Sequence, residues 1–222
     1  MNCDKDIHMD IGSMLVLVCK RLIENEELLC KLDSRVGDGD HGLTISRGFG
    51  AVKGKIEETA SGSAADFFVL TGETLQDVMG GAIGPVLGSL FTAMGESPAC
   101  AGEIDTGKMS VMLREGLESV KRTGGVKPGD RTLVDALEPA VIALEGEAAL
   151  ETPLPQAMVR AAEAAKNGAM DTKNMIAKKG RAKFLREKSL GYQDAGATSL
   201  SIIFSAMSEF FLSSNKAGSL CR

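Results

Sequence analysis

Residues 33–42 read Asp33-Ser34-Arg35-Val36-Gly37-Asp38-Gly39-Asp40-His41-Gly42, and the fold turns on how they are read. Gly37, Gly39 and Gly42 satisfy G-x-G-x-x-G, and Glu57 lies near the place of a ribose-binding acid. A dinucleotide loop of that kind demands a preceding strand and a parallel α/β sheet. Upstream, residues 24–32 are polar and helical in pattern, and two aspartates inside the loop would repel a pyrophosphate unless a cation stood between them. The stretch is better read as a cluster of three carboxylates, Asp33, Asp38 and Asp40. An all-oxygen set suits a hard ion, Mg2+ or Ca2+, rather than zinc or copper. It is not an EF-hand, because the twelfth position counted from Asp38 is Phe49, where that loop needs a bidentate Glu. A solvated Asp/Gly turn remains the competing account, since these residues favour turns anyway.

Outward from this stretch the apolar residues recur at helical spacing. Ile11, Met14, Leu15, Val18 and Leu22 follow i, i+3, i+4, i+7, i+11. A second helix is predicted over 43–58 and a third through Phe67, Phe68, Leu75 and Val78. Val86, Leu87, Leu90 and Met94 mark a fourth, ended at Ser97-Pro98, and Met109, Leu113, Leu117 and Val120 a fifth, stopped by Gly124-Gly125. A sixth follows through Leu133, Leu137, Ala140, Val141 and Leu144, a seventh through Met158, Ala161, Ala162 and Ala165, and the last spans 196–212. About eight helices on short loops predict an all-α, up-and-down assembly, with residues 1–222 as one domain.

Composition agrees. Aromatics are 4% of the chain, with no Trp, so the core must be built from Ala, Leu, Val, Ile and Met, a palette that favours packed helices over a sandwich. A formal charge of −5 argues against nucleic acid or a membrane surface as the partner. Cys3, Cys19, Cys30, Cys100 and Cys221 are odd in number and scattered, which predicts reduced thiols rather than disulfides or a zinc site. The first ten residues are unlike a signal peptide, and no apolar run approaches the roughly 20 residues a bilayer span needs. A cytoplasmic location is the expectation.

Four further constellations fall in predicted loops. Gly80-Gly81-Ala82-Ile83-Gly84-Pro85 offers backbone close to a ligand ahead of a helix N-terminus, or a plain helix–helix turn. Residues 124–132, Gly-Gly-Val-Lys-Pro-Gly-Asp-Arg-Thr, nearly spell a Walker A loop, but Asp130 stands where its lysine belongs. They read as a phosphate or nucleoside loop, or as a turn with Asp130 as N-cap. Lys178, Lys179, Arg181, Lys183, Arg186 and Lys188 form either a polyphosphate clamp or a solvated basic face. Asp194, in Gly191-Tyr192-Gln193-Asp194-Ala195-Gly196, would cap the last helix or meet a ribose. With only His8 and His41 present, histidine-driven nucleophilic catalysis is disfavoured, whereas phosphoryl transfer needs little beyond cations, donors and a polyphosphate.

Taken in order, Asp33…Gly-Asp-Gly-Asp-His-Gly, Gly-Gly-Ala-x-Gly-Pro, Pro-Gly-Asp-x-Thr, Lys-Lys-Gly-Arg-Ala and Gly-x-x-Asp-x-Gly-Ala-Thr-Ser resemble the nucleotide-binding L subunits of dihydroxyacetone kinases, over nearly the whole chain. The resemblance implies a closed barrel of eight antiparallel helices with the nucleotide at one end. It implies that Asp33, Asp38 and Asp40 ligate two Mg2+ ions and that ADP or ATP is the nucleotide. It places His41, Gly42, Leu43, Thr44, Ala82, Ile83, Gly124, Leu133, Arg181, Asp194, Ala195 and Gly196 around that nucleotide, with Arg181 facing the transferring phosphoryl group. The implied partners are a K-type subunit that holds dihydroxyacetone and a phosphotransferase-system phosphoprotein (the M-type subunit) that recharges bound ADP. A homodimer is a further arrangement it allows. Two residues depart from the pattern: Ile83 stands where a small hydroxyl residue is expected, and Ala195 replaces a proline. Other readings are a kinase subunit that exchanges ATP and serves another keto-sugar, a non-catalytic nucleotide-binding module, and a helical Mg2+ or Ca2+ protein without nucleotide.

Overall fold

The structure is a computed structural model that describes residues 10–219, and side chains as far as residue 214. Cys3, Cys221 and the N-terminal segment up to residue 9 lie outside the described residues. Among the described residues there are nine α-helices and no strand: α1 (Ile11–Glu24), α2 (Glu26–Asp33), α3 (His41–Glu58), α4 (Ala64–Val78), α5 (Ile83–Glu96), α6 (Thr106–Gly124), α7 (Val134–Ala149), α8 (Leu154–Asp171) and α9 (Ala195–Ser219). The eight predicted helices are all present. The ninth, α2, arises because the chain bends at Asn25 and resumes as a short helix leading into the aspartate stretch.

Each long helix packs on its neighbour in sequence, α1 on α3, then onward to α8 on α9, and α9 packs back on α1, so the order of neighbours returns to its start. Arg21 fastens that seam from outside, donating from Nε and Nη2 to the two carboxylate oxygens of Glu209 at 2.9 and 2.6 Å. Inside, Met14, Leu22, Phe49, Leu87, Leu113, Leu137 and Phe204 belong to one continuous apolar core. Each fully buried side chain of this size stabilises the fold by about 1.5–3 kcal/mol.

Two pairs of helices approach closely because glycine is there. A Cβ on Gly72 of α4 would lie 2.1 Å from Thr92 Oγ1 and 2.6 Å from the Gly88 carbonyl oxygen of α5. Gly72→Ala is therefore expected to force these helices apart and to cost about 1–3 kcal/mol, read as a lower urea midpoint with an unchanged slope. In α7, Pro139 has no N–H for the carbonyl of Asp135, and Gly168 of α8 packs on that carbonyl, where a Cβ would fall 2.2 Å from the oxygen.

By length and composition Ala195–Ser214, within α9, is apolar enough to cross a membrane, with a mean hydropathy of 1.4. The polar residues interleaved along it, Thr198, Ser199, Ser201 and Ser208, disguise this in a reading by run length. The helix packs against α1, α7 and α8, and most of it is buried in the protein.

Because consecutive helices on short loops run antiparallel, their connections alternate between two ends. Residues 34–40, 79–82, 125–133 and 172–194 all fall at one end. Residues 59–63, 97–105 and 150–153, with the start of α1, fall at the other.

Candidate functional site

The helix N-termini are not all finished alike. At the far end Asp10, Ser63 and Asp105 each cap their own helix with a side-chain oxygen, and Ser63 with Asp66 completes a capping box. At the end that carries the motifs, no side chain among the described residues caps α3 or α5. Their first-turn N–H groups and positive dipole ends are left for an anion.

Asp40 is the residue at the N-cap of α3, yet its carboxylate makes no capping bond. It joins Asp33 and Asp38 in a group whose ligand atoms all lie within 4.8 Å of one another. Asp33 leaves the end of α2 half-buried, and its Oδ2 accepts the N–H of Gly39 at 2.8 Å. The glycines that imitated a dinucleotide loop serve this turn. Gly39 takes a left-handed φ of 79°, and a Cβ on Gly37 would sit 2.3 Å from Asp33 Oδ1. Gly42 lets α3 abut α2, where a Cβ would meet the Glu26 carbonyl oxygen at 2.1 Å. The donor set therefore fits a hard divalent cation: three carboxylates, converging and all oxygen.

Arg181 makes an ion pair with Asp38, so the basic segment is folded over the aspartates. It forms a 3-10 segment, Arg181–Ser189, within the long α8–α9 connection. A cleft of about 350 Å3 lies beside it, lined by Arg35, Val36, Gly37, Asp38, Arg181, Phe184 and Leu185. The Phe184 ring is 79% exposed at its mouth, with Lys183 Nζ 4.9 Å from the ring centroid. A larger cleft, about 610 Å3, opens at the far end between α1, α3 and Phe67, away from every motif.

His41, the first residue of α3, bonds through Nε2 to Ser199 Oγ at 2.9 Å, which joins the α3 and α9 N-termini. Burial draws its pKa below the usual imidazole value, against the charge of Asp33 and a backbone hydrogen bond at Ala195, so the ring is neutral near pH 7. Asp194 caps α9, its Oδ2 accepting from Ala197 N–H at 2.8 Å. Its own N–H donates to Thr172 Oγ1 at 2.9 Å, and Gln193 Nε2 reaches Thr198 Oγ1 at 2.9 Å. Those bonds hold the turn in which Ala195 replaces the expected proline.

Burial raises the Asp194 carboxyl to about 6 from its ordinary 3.8, outweighing the Ala197 bond and the charge of Arg131, while Asp135 and Asp33 push it further up. A folded-state pKa above the unfolded one means stability present below pH 4 and lost as pH rises through 6. Asp194→Asn keeps a capping oxygen and does not titrate, so its melting temperature should gain on the parent's between pH 4 and 6 in paired scans.

Leu133, at the start of α7, meets Gly196, since a Cβ there would lie 3.7 Å from Leu133 Cβ. Leu43 is exposed on the first turn of α3, and Thr44 half-buried beside it. Ala82, Ile83 and Gly124 sit at the same end, but no hydrogen bond ties them to the aspartates, and Ile83 is half-buried against the core. Asp130 is not the N-cap of α7. Its Oδ2 accepts Lys127 N–H at 3.1 Å, and the loop is fastened to the first turn of α7 by Asp135, which accepts Gly129 N–H at 2.5 Å and Thr132 N–H at 2.7 Å. The signal for Asp135 was present as Thr132-x-x-Asp135, a capping-box spacing. Arg131, fully buried beside it, had no signal.

Comparison with known proteins points to one family. The DAK2 domain is matched over residues 35–209. The chain is 36% identical over 174 residues, 78% of its length and 83% of the relative's, to the Escherichia coli (strain K12) PEP-dependent dihydroxyacetone kinase, ADP-binding subunit DhaL. It is 37% identical over 189 residues, 84% of its length, to an L-erythrulose kinase of Pectobacterium atrosepticum, of which it spans 32%. The crystal structure of the C. freundii dihydroxyacetone kinase in complex with AMP-PNP and Mg2+ superposes with a TM-score of 0.72 at 30% identity, covering 90% of this chain and 33% of that one.

Proposed function

This chain belongs to the DAK2 domain family, and from that premise we propose that it is the ADP- and Mg2+-binding subunit of a dihydroxyacetone-type kinase. The chemistry is phosphotransfer. In this reading the terminal phosphoryl group of a bound nucleotide passes to dihydroxyacetone held on a separate K-type subunit. A phosphotransferase-system phosphoprotein then recharges the ADP, in the cytoplasm. The observation that carries the reading is the convergence of Asp33, Asp38 and Asp40 at the end where α3 and α5 present uncapped N-termini and Arg181 folds over.

Asp33, Asp38 and Asp40 would hold two Mg2+ ions, which supply charge neutralisation for the phosphates when bound. The first turns of α3 (His41, Gly42, Leu43, Thr44) and α5 (Ala82, Ile83) direct backbone N–H groups at the polyphosphate. Neutral His41, fixed by Ser199, orients the α3 turn without adding charge. Gly124, Leu133 and the Asp194-Ala195-Gly196 turn line the nucleoside side, Leu133 with an apolar face and the two glycines with close backbone. Arg181, released from Asp38 toward the phosphates, offsets negative charge as it builds. Ile83 has no hydroxyl to offer, so binding at α5 rests on backbone donors.

The deciding experiment runs two transfers in parallel: the purified chain with its K-type partner and dihydroxyacetone, supplied either with ATP or with the phosphorylated phosphotransferase protein. Formation of triose phosphate from the second donor with ADP retained supports the proposal. Tight partner binding with no transfer from either donor would leave a non-catalytic nucleotide module. A four-carbon keto-sugar is a second reading, favoured by the likeness to the erythrulose kinase. The sugar rests on the partner, so exchanging partners, not mutating this chain, should change it.

A further inference from the structure

Arg131 is the largest fully buried side chain among the described residues, 1% exposed, and it sits within the loop between α6 and α7. Its Nη2 donates to the Tyr192 carbonyl at 2.8 Å, and its charge faces Asp194. Nε and Nη1 are buried with no hydrogen-bond partner among the described residues. Its backbone is left-handed, φ 61°, which costs a non-glycine residue about 1 kcal/mol or more. A buried guanidinium with one of its three nitrogens bonded, on a strained backbone, is costly to a fold twice over, and it persists only where its surroundings dictate it.

What dictates it is the long connection 172–194. Asp130, the preceding residue, accepts Lys178 N–H on its carbonyl at 3.0 Å, with Lys178 Nζ 3.9 Å from its carboxylate. Asp130 and Arg131 thus grip the connection at two points, Lys178 and Tyr192, and between them lies the segment that carries Arg181 to Asp38. Of the other ties, Gly191 N–H to the Lys173 carbonyl at 2.7 Å, Ala177 N–H to Ser189 Oγ at 3.0 Å and Asp194 N–H to Thr172 Oγ1 at 2.9 Å lie within the connection, and Gln193 Nε2 to Thr198 Oγ1 at 2.9 Å joins its end to α9; none of these fixes it to the α6–α7 side.

We propose that Arg131 is a positioning residue: it clamps the base of the 178–192 strap to the α6–α7 loop and so holds Arg181 over the aspartate trio. Its catalytic consequence rests on the function proposed above, and its mechanical consequence does not.

The test compares Arg131→Met with Arg131→Lys and with Arg122→Met, an exposed arginine on α6 as control. Brief trypsin digestion of nucleotide-free protein reads the strap through cleavage within 178–188, and the rest of the fold through cleavage at Lys53 and Lys55 on α3. For Arg131→Met, strap cleavage is expected to rise about tenfold while α3 cleavage stays near the parent's, because only the local opening equilibrium has shifted. In the reconstituted kinase, kcat should fall about tenfold or more with nucleotide KM within about threefold, since the aspartates remain and Arg181 is misplaced. Arg131→Lys, which keeps the charge but not the planar fork, should fall between. Strap cleavage at the parental rate in Arg131→Met overturns the proposal, as does a loss of kcat matched by equal acceleration at both sets of sites. If Arg131→Met does not fold, Arg131→Lys decides alone, parental strap cleavage again being the overturning result. If the parent itself transfers no phosphate, the functional reading fails, and strap cleavage still decides the clamp.

Discussion

Asp38→Ala is expected to abolish Mg2+-dependent retention of ADP, a loss of at least about 100-fold in affinity, or about 2.7 kcal/mol. The ligand atoms of Asp33, Asp38 and Asp40 lie within 4.8 Å of one another, and at that spacing each like-charge pair costs about 1 kcal/mol even in water. A cation repays this only with all three carboxylates present, and the phosphates are anchored largely through it. Asp40→Asn sharpens the prediction, because Asp40 makes no capping bond that its loss would sacrifice. The nucleotide-free protein should melt at the same temperature or slightly higher, since a repulsion is relieved, while the increase in melting temperature on adding Mg2+ and ADP should vanish. Native mass spectrometry with and without EDTA reads the first effect and thermal scans read the second. An ADP adduct that survives in Asp38→Ala and ignores EDTA would remove the metal from the account.

The helices were legible because the core is made of residues whose burial leaves a 3.6-residue imprint, and because Gly125 and Ser97 mark ends in their usual way. The aspartate cluster was legible as a concentration of charge, and the glycines between the carboxylates allow the tight turn that brings them together. The bend at Asn25 was not, because neither glycine nor proline marks it. The strap was visible only as a run of positive charge, and a solvated face has the same composition. Its course depends on contacts across 61 positions, from Arg131 to Tyr192, and no local pattern reports those. Arg131 escaped for a related reason: arginine is rarely buried, so a sequence gives no ground for placing one in a core. Conversely, α9 reads as a membrane span by length and composition because it packs against four other helices, α1, α2, α7 and α8, and must be apolar on most of its circumference.

Arg181→Met is expected to lower phosphoryl transfer by about 100- to 1,000-fold, the range that follows loss of one preorganised donor from a developing anion. The argument is geometric. Arg181 is the member of the basic run that pairs with an aspartate of the trio, and its side chain is 64% exposed, free to swing toward a phosphate without dismantling the core. Lys183, by contrast, lies over the Phe184 ring, and Lys178 is spent on Asp130. Lys183→Met should therefore leave transfer within about twofold, the usual reach of a surface charge. Arg181→Lys separates charge from shape. An ammonium offers a point charge where the guanidinium offers a planar fork, so it should restore part of the rate if field strength dominates and almost none if bidentate contact does. ADP affinity should change far less than kcat in both Arg181 variants, because the aspartates and the α3 and α5 N-termini remain. Single-turnover transfer from pre-bound nucleotide is the measurement. A rate within tenfold of the parent's in Arg181→Met would move the work of charge stabilisation off this residue and onto the partner subunit.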